Sequence, residues 1–274
     1  MDANSQSQEK MTWGLIIVLG FIAALTPLAI DMYLPAMPLM SERLATTPDV
    51  VQQTLTVFSI GFALGQLFVG PISDSTGRRI VMLAGTLLFT VSSWICAQVT
   101  TIDDLIFWRA IQGVAGASSG VMISAIVKDM FGRDDFSKMM SFIVLVMTLA
   151  PLVAPLLGGY ITLYFGWRAI FWVLAGLGIV SIILVVWRIP ETLPPSSRQS
   201  FAIGRSVRQY IKIIKDPMSL SLMFSGAFSF ACLFSFLVSA AFVYMDVYGI
   251  AVDYVGYLFA CNVMALMVLT TVNG

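Results

Sequence analysis

The 274-residue sequence predicts an all-α membrane protein: a bundle of about eight apolar spans with no sizeable soluble domain. Three observations carry that prediction. Hydrophobic residues make up 58% of the chain and charged residues 11%, with mean hydropathy +0.91, whereas a soluble domain carries about 25% charged residues. The charges sit in short clusters separated by long uncharged runs. Those runs have the ~20-residue length that one bilayer crossing requires, and inside a bilayer each must satisfy its own backbone as a helix.

In chain order the first run is 13–34. Its apolar core is too long for a signal peptide, and no small-x-small cleavage site precedes Asp31. Runs at 51–72, 80–99, 102–127, 136–165 and 167–187 follow. A polar stretch, 188–216, then holds Pro190, Pro194 and Pro195, and two more runs cover 218–244 and 255–274. The expected organisation is a six-helix bundle over 1–188, a linker over 189–217 and two further helices over 218–274. Within the linker, 203–215 sets Ile203, Val207, Tyr210 and Ile214 on one helical face and Arg205, Arg208, Lys212 and Lys215 largely on the other. That is the pattern of a helix lying in the membrane interface; a solvated basic linker is the alternative.

Charge asymmetry orients the spans. Lys10, Arg78, Arg79, Lys128, Arg133, Lys138 and the six basic residues from Arg188 to Lys215 fall on one set of loops, and Arg43 and Arg168 on the other. Cytoplasmic loops carry the Lys/Arg excess, so the N-terminus and the linker are expected inside, and the loops with Asp103, Asp104, Asp246 and Asp253 outside. Six helices, an inside linker and a second set is the plan of transporters made of two six-helix halves. A net charge of zero offers no basic face to nucleic acid. Cys96, Cys232 and Cys261 are scattered in apolar runs and read as packing residues. With no histidine, no metal spacing, no Ser–His arrangement and no phosphate loop, an enzyme is not expected.

Two ionisable residues lie inside expected spans, Asp31 in the first and Arg109 in the fourth. A charge there costs at least ~2.5–3.5 kcal/mol and needs a partner or a watered cavity. At 1.5 Å per residue Asp31 lies ~27 Å from the inner face and Arg109 ~20 Å. The ~7 Å difference is about an arginine's reach once helix tilt is allowed for. A functional pair in a central cavity is therefore expected, with Asp31 the proton carrier in a chain without histidine. The plainer roles are an interfacial carboxylate for Asp31 and snorkelling to headgroups for Arg109. Burial and a nearby cation act in opposite senses on a carboxyl, so the pair can link protonation to conformation. Tyr33, Gln66, Gln112 and Ser119 are cavity candidates, because polar groups in spans rarely face lipid.

Four strings have a recognisable form. The loop after the second span reads Gly70-Pro71-Ile72-Ser73-Asp74-Ser75-Thr76-Gly77-Arg78-Arg79. Gly77 permits a tight reversal, Asp74 can cap or pair with a helix end, and Arg78 and Arg79 hold the loop inside. The fourth span carries Arg109-Ala110-Ile111-Gln112-Gly113-Val114-Ala115-Gly116-Ala117. The fifth carries Ala150-Pro151-Leu152-Val153-Ala154-Pro155-Leu156-Leu157-Gly158-Gly159, whose small residues allow close helix approach and whose prolines bend the helix. Pro190-Glu191-Thr192-Leu193 follows the sixth.

Together these strings resemble the major facilitator superfamily: its cytoplasmic G-x-x-x-D-x-x-G-R-[RK] loop, its R-x-x-Q-G motif and its antiporter motif, the last with Ala150 and Ala154 in place of two glycines. The stretch from Pro27 to Pro38, with 61–67, Phe228–Phe230 and 242–244, is similar to the bicyclomycin/chloramphenicol-resistance branch of drug:proton antiporters. The resemblance implies a monomeric multidrug exporter of small amphipathic compounds in a bacterial inner membrane, with the proton as coupling ion and no other cofactor. It links Arg109 to proton coupling, alongside the Asp31 carboxylate singled out above. It also implies gating at Gly70, Asp74, Gly77, Arg78, Arg79, Pro151, Pro155, Gly158 and Gly159. Another metabolite carrier of the superfamily is the alternative. The family runs to about twelve spans, so the chain is expected to be a C-terminally truncated form with an incomplete second bundle, and an inactive membrane fragment is a further reading.

Overall fold

The computed structural model describes the backbone of residues 3–131, 133–198 and 203–273. The side chains of Lys10, Arg133, Ile203, Arg205, Asp253 and Asn273, and residue Gly274, on which parts of the sequence reading fall, lie outside the described residues. Among the described residues every regular element is helical. The order is α1 (Ala3–Asp31), α2 (Met37–Arg43), α3 (Pro48–Thr76), α4 (Arg78–Cys96), α5 (Ile102–Met130), α6 (Arg133–Phe165), α7 (Arg168–Arg188), α8 (Ile203–Ile214), α9 (Pro217–Phe242) and α10 (Val252–Asn273). Seven stretches of described helix are long and apolar enough to cross a membrane. The eighth expected run forms α10, of 22 residues, or ~33 Å at 1.5 Å per residue.

Helix ends fall where local chemistry dictates. Pro48 occupies the first turn of α3 and Pro217 that of α9, where a missing N–H costs nothing. The Thr101 hydroxyl accepts from the Asp104 amide at the start of α5, and Asp216 accepts from the Ser219 amide at the start of α9. Gly77 separates α3 from α4 at φ +116°, a backbone that side chains rarely adopt.

One departure from the expected spans matters for the site. The first span ends at Asp31 rather than near 34. A single 3-10 turn, Leu34–Ala36, and the short helix α2 follow it. Leu34, Pro35, Ala36, Met37 and Met40 are buried, and Pro35 and Pro38 fall at the starts of these two short turns. The chain therefore doubles over the end of the bundle instead of leaving it.

α1 packs against α5, α6 and α7, α3 against α5, α4 against α5 and α7, and α10 against α6. Close approach comes from small residues. A Cβ on Gly61 would strike the Ala110 carbonyl and one on Gly113 the Phe58 carbonyl, so α3 and α5 touch backbone to backbone. The linker turn, the α3–α4 turn and the end of α5 share one end of the bundle, joined by bonds from Arg78 to Asp129 and Glu191. At the other end Arg168 donates to the Val99 carbonyl at 2.8 Å. This is the alternation of loops that the basic residues predict.

Candidate functional site

Arg109 is fully buried in α5. Its guanidinium donates through Nη1 to the Ala29 carbonyl at 3.2 Å and to Gln112 Oε1 at 2.7 Å. Its carbon lies 4.3 Å from the Phe58 ring centre, 4.8 Å from Tyr33 and 5.9 Å from Phe171. No carboxylate among the described residues pairs with it. Two features stand in for a counterion. Ala29 lies in the last turn of α1, where the helix dipole presents partial negative charge. Three aromatic faces surround the cation, each attractive to it in a dry site. Gln112 passes the network on, donating to Ser93 Oγ at 2.7 Å, while the Tyr33 hydroxyl bonds Thr54 Oγ1 at 2.8 Å. The cage thus ties α1, α3, α4, α5 and α7 together. Nε and Nη2 of Arg109 have no hydrogen-bond partner, and the rings account for their surroundings.

A separate cavity of about 710 Å³ lies between α1, α6, α9 and α10. Its walls are mostly apolar: Pro27 and Ile30, Val144 and Leu145, Phe230 and Phe234, Phe259 and Val263. Asp31 is the only ionisable residue among those lining it, with Ser141 and Thr148 adding hydroxyls. Its side chain is 6% exposed, and no ion pair joins it to another described residue.

The expected Asp31–Arg109 pair is therefore not formed, and the reason is azimuth rather than depth. Pro27, Ile30 and Asp31 share one face of α1. Residue 29, whose carbonyl receives Arg109, is two positions from Asp31 and hence about 200° round the helix. The cavity candidates need the same correction. None of Tyr33, Gln66, Gln112 and Ser119 lines this cavity. Tyr33 and Gln112 belong to the Arg109 cage, Ser119 bonds back to the Gly116 carbonyl of its own helix at 2.7 Å, and Gln66 is exposed on α3. Tyr33, Gln112 and Ser119 satisfy their polar groups by bonding across and along helices, which serves as well as facing a cavity to keep them from lipid.

The α3–α4 turn is a charge cluster. Asp74 pairs with Arg78 at 2.6 Å, and Arg78 also reaches Ser73 Oγ at 2.5 Å and Asp129 at 3.2 Å. The Arg78 amide donates to Glu191 at 2.9 Å, and Thr192 donates to Asp129 at 3.1 Å. A Cβ on Gly77 would collide with the Glu191 carboxylate, so glycine is required by space as well as by φ. Arg79 instead donates to the Val186 carbonyl, and Gly70 has open space beside it. Asp129 escaped the sequence reading. Its signal was its place in the last turn of a span, beside Lys128, where an acidic residue is unfavourable for the helix dipole unless a cation compensates.

In α6, Ala154, Pro155, Gly158 and Gly159 are buried and Pro151 half-buried. A Cβ on Gly158 would meet the Met32 carbonyl, and Gly256 of α10 comes within van der Waals range of Pro155 and Leu156. The small-residue face of α6 therefore seats the end of α1 on one side and α10 on the other. Pro151 and Pro155 line the cavity and leave the carbonyls of residues 147 and 151 without helical donors.

The Major Facilitator Superfamily model matches residues 19–274. The chain belongs to the major facilitator superfamily. The superfamily and its fold are those of transporters rather than enzymes. Relatives include a bicyclomycin resistance protein homolog of Haemophilus influenzae, 37% identical over 97% of this chain and 67% of its own length. The MFS-type transporter YdgK of Bacillus subtilis is 35% identical over 96% of this chain and 66% of its own. A chloramphenicol resistance protein of Pseudomonas aeruginosa is 36% identical over 68% of this chain and 46% of its own. The chain thus spans about two thirds of the curated relatives that it matches along nearly its whole length. Among solved structures, a D-xylose–proton symporter superposes with a TM-score of 0.71 at 15% identity, covering 95% of this chain and 69% of that one. A bacterial homologue of the lysosomal transporter Spinster, inward-facing and unoccupied, gives 0.70 at 15% identity over 92% of this chain and 59% of that one. These likenesses establish the superfamily fold.

Proposed function

We propose that this superfamily member exports small amphipathic drugs in exchange for protons, from a bacterial inner membrane in which its N-terminus and linker are cytoplasmic. The observation that carries this reading is the cavity: about 710 Å³, aromatic and aliphatic, with one carboxylate, Asp31. Such a lining suits varied apolar ligands that need few directional bonds. It suits a sugar or other polyol poorly, and that is why export of drugs is preferred over carriage of a polar metabolite. The printed names of relatives, resistance to bicyclomycin and to chloramphenicol, agree.

In this mechanism Asp31 carries the proton, because it is the ionisable group in the cavity and the chain has no histidine. A proton and a substrate compete for its carboxylate. Arg109 acts one step away as a positioning residue. It holds the Ala29 carbonyl, two residues from Asp31, so any movement of α1 that follows Asp31 protonation must work against the aromatic cage. The transporter works as a monomer, with the proton as coupling ion.

The test is accumulation of a fluorescent amphipathic compound in cells expressing the protein, with and without a proton gradient. Export should stop when the gradient is collapsed, and Asp31→Asn should abolish the pH dependence while the protein stays in the membrane. Export by Asp31→Asn with unaltered pH dependence would remove Asp31 from the mechanism. No export by the membrane-inserted protein would count against the drug-export reading.

A further inference from the structure

The linker helix α8 has a feature that the transport reading does not use. Proline at 71 has no N–H, so the carbonyl of Leu67, four residues earlier in α3, has no helical donor. The Tyr210 hydroxyl of α8 fills that place, donating to the Leu67 carbonyl at 2.9 Å. α8 is therefore latched to the one carbonyl of α3 that the Gly70-Pro71 sequence leaves open.

The latch fixes the depth of α8. α3 has 29 residues, ~43 Å at 1.5 Å per residue, which matches the ~40–45 Å of a whole bilayer with its headgroup layers. Leu67 lies nine residues before Thr76, hence ~14 Å below that end and ~7 Å inside the hydrocarbon, within reach of a tyrosine from the headgroup boundary. A tyrosine reaching Leu67 from α8 holds its own helix in the headgroup layer. There α8 turns Val207, Ile211 and Ile214 to one side, each about half exposed. Arg208, Lys212 and Lys215 cluster about 100° further round the helix, all exposed. The sequence from 203 to 215 contains no acidic residue. An uncovered apolar face, a basic face and an anchor at headgroup depth match an anionic lipid surface in both charge and polarity.

We propose that α8 is an anionic-phospholipid binding element: its apolar face enters the acyl boundary, Arg208, Lys212 and Lys215 take the headgroup phosphates, and Tyr210 latches the lipid-bound helix to α3 at the carbonyl freed by Pro71. The proposal is independent of what the chain transports.

The test uses the full chain with its three cysteines replaced, Ile211→Cys carrying an environment-sensitive fluorophore, and aqueous iodide as quencher. It compares nanodiscs of phosphatidylcholine with nanodiscs containing phosphatidylglycerol. The probe should be shielded with phosphatidylglycerol and quenched without it. The R208Q/K212Q/K215Q variant, altered only at exposed positions, should lower the docked-to-undocked ratio roughly 100-fold, at about five-fold per basic residue. Y210F, which removes one hydroxyl, should lower it about five-fold. Equal shielding in both discs, unmoved by the triple variant, would assign the apolar face to protein or neutral lipid and overturn the proposal. Equal quenching in both would make α8 a solvated linker and overturn it as well.

Discussion

Two buried charges sit within a few residues of the end of α1, and their surroundings are opposites. Arg109 is fully enclosed, gripped by three rings and two oxygens, and its cage is the crossing point of five helices. Asp31 lines a cavity and has no cationic partner among the described residues. One charge is solvated by fixed dipoles and π faces and serves as structure. The other faces an open, mostly apolar cavity. α1 separates them by about 200° of rotation, so its backbone is one link between the two regions.

The largest effect should come from emptying the cage. Arg109→Ala should cost about 3–5 kcal/mol, the range for removing a large buried side chain, with Gln112 and the Ala29 carbonyl also left short of a donor. Thermal unfolding in detergent reads this directly. Arg109→Lys should still cost about 2 kcal/mol, because an ammonium lacks the plane that stacks on the rings. A lysine variant as stable as the parent would show that charge alone matters and that the aromatic cage is incidental.

Next in size is the seam between the regions. Gly158→Ala puts a methyl into the Met32 carbonyl, so α6 and the end of α1 must separate, at about 1–3 kcal/mol. The same change at Gly70, which has open space, should leave the melting temperature within experimental error. Similar losses at both positions would mean that glycine is needed for helix bending rather than for contact.

Asp31→Asn should cause no loss of melting temperature, since no partner is abandoned and the shape is kept. A loss comparable to that of Arg109→Ala would place Asp31 in a structural network and erase the contrast.

The smallest effect lies outside both regions and serves as a pH control. Hydrogen bonds from Ser219 hold the exposed Asp216 carboxyl below the usual carboxylate range. Its contribution to the first turn of α9 is complete above the unfolded carboxyl's pKa and is lost as pH falls through the lower folded value. Amide exchange at 218–221 should therefore quicken in acid, and Asp216→Asn should remove that dependence. Acid-independent exchange in the parent would discard the cap.

The sequence alone determined the class of fold, the helices and their alternation between two ends. These follow from hydropathy, from the ~20-residue crossing and from the placement of Lys and Arg, all of which act along one chain dimension. It also singled out Arg109, Asp31, the Gly77 reversal and the small-residue face of α6, which carry strong local signals: either a charge where charge is costly or a glycine where space is short. Three arrangements waited for the tertiary structure. The ~7 Å depth match paired Asp31 with Arg109, but depth ignores rotation about α1, which sends one to the cavity and the other to the cage. Tyr33 and Gln112 were legible as cavity candidates because polar groups in spans rarely face lipid, yet partners on other helices satisfy them too, and only packing chose. Asp129 and the buried turn over Leu34–Met40 drew their meaning from Arg78, Glu191 and the ends of neighbouring helices, residues far away in the chain. A one-dimensional pattern states what each residue needs; which neighbour supplies it is set by how the helices rotate and cross.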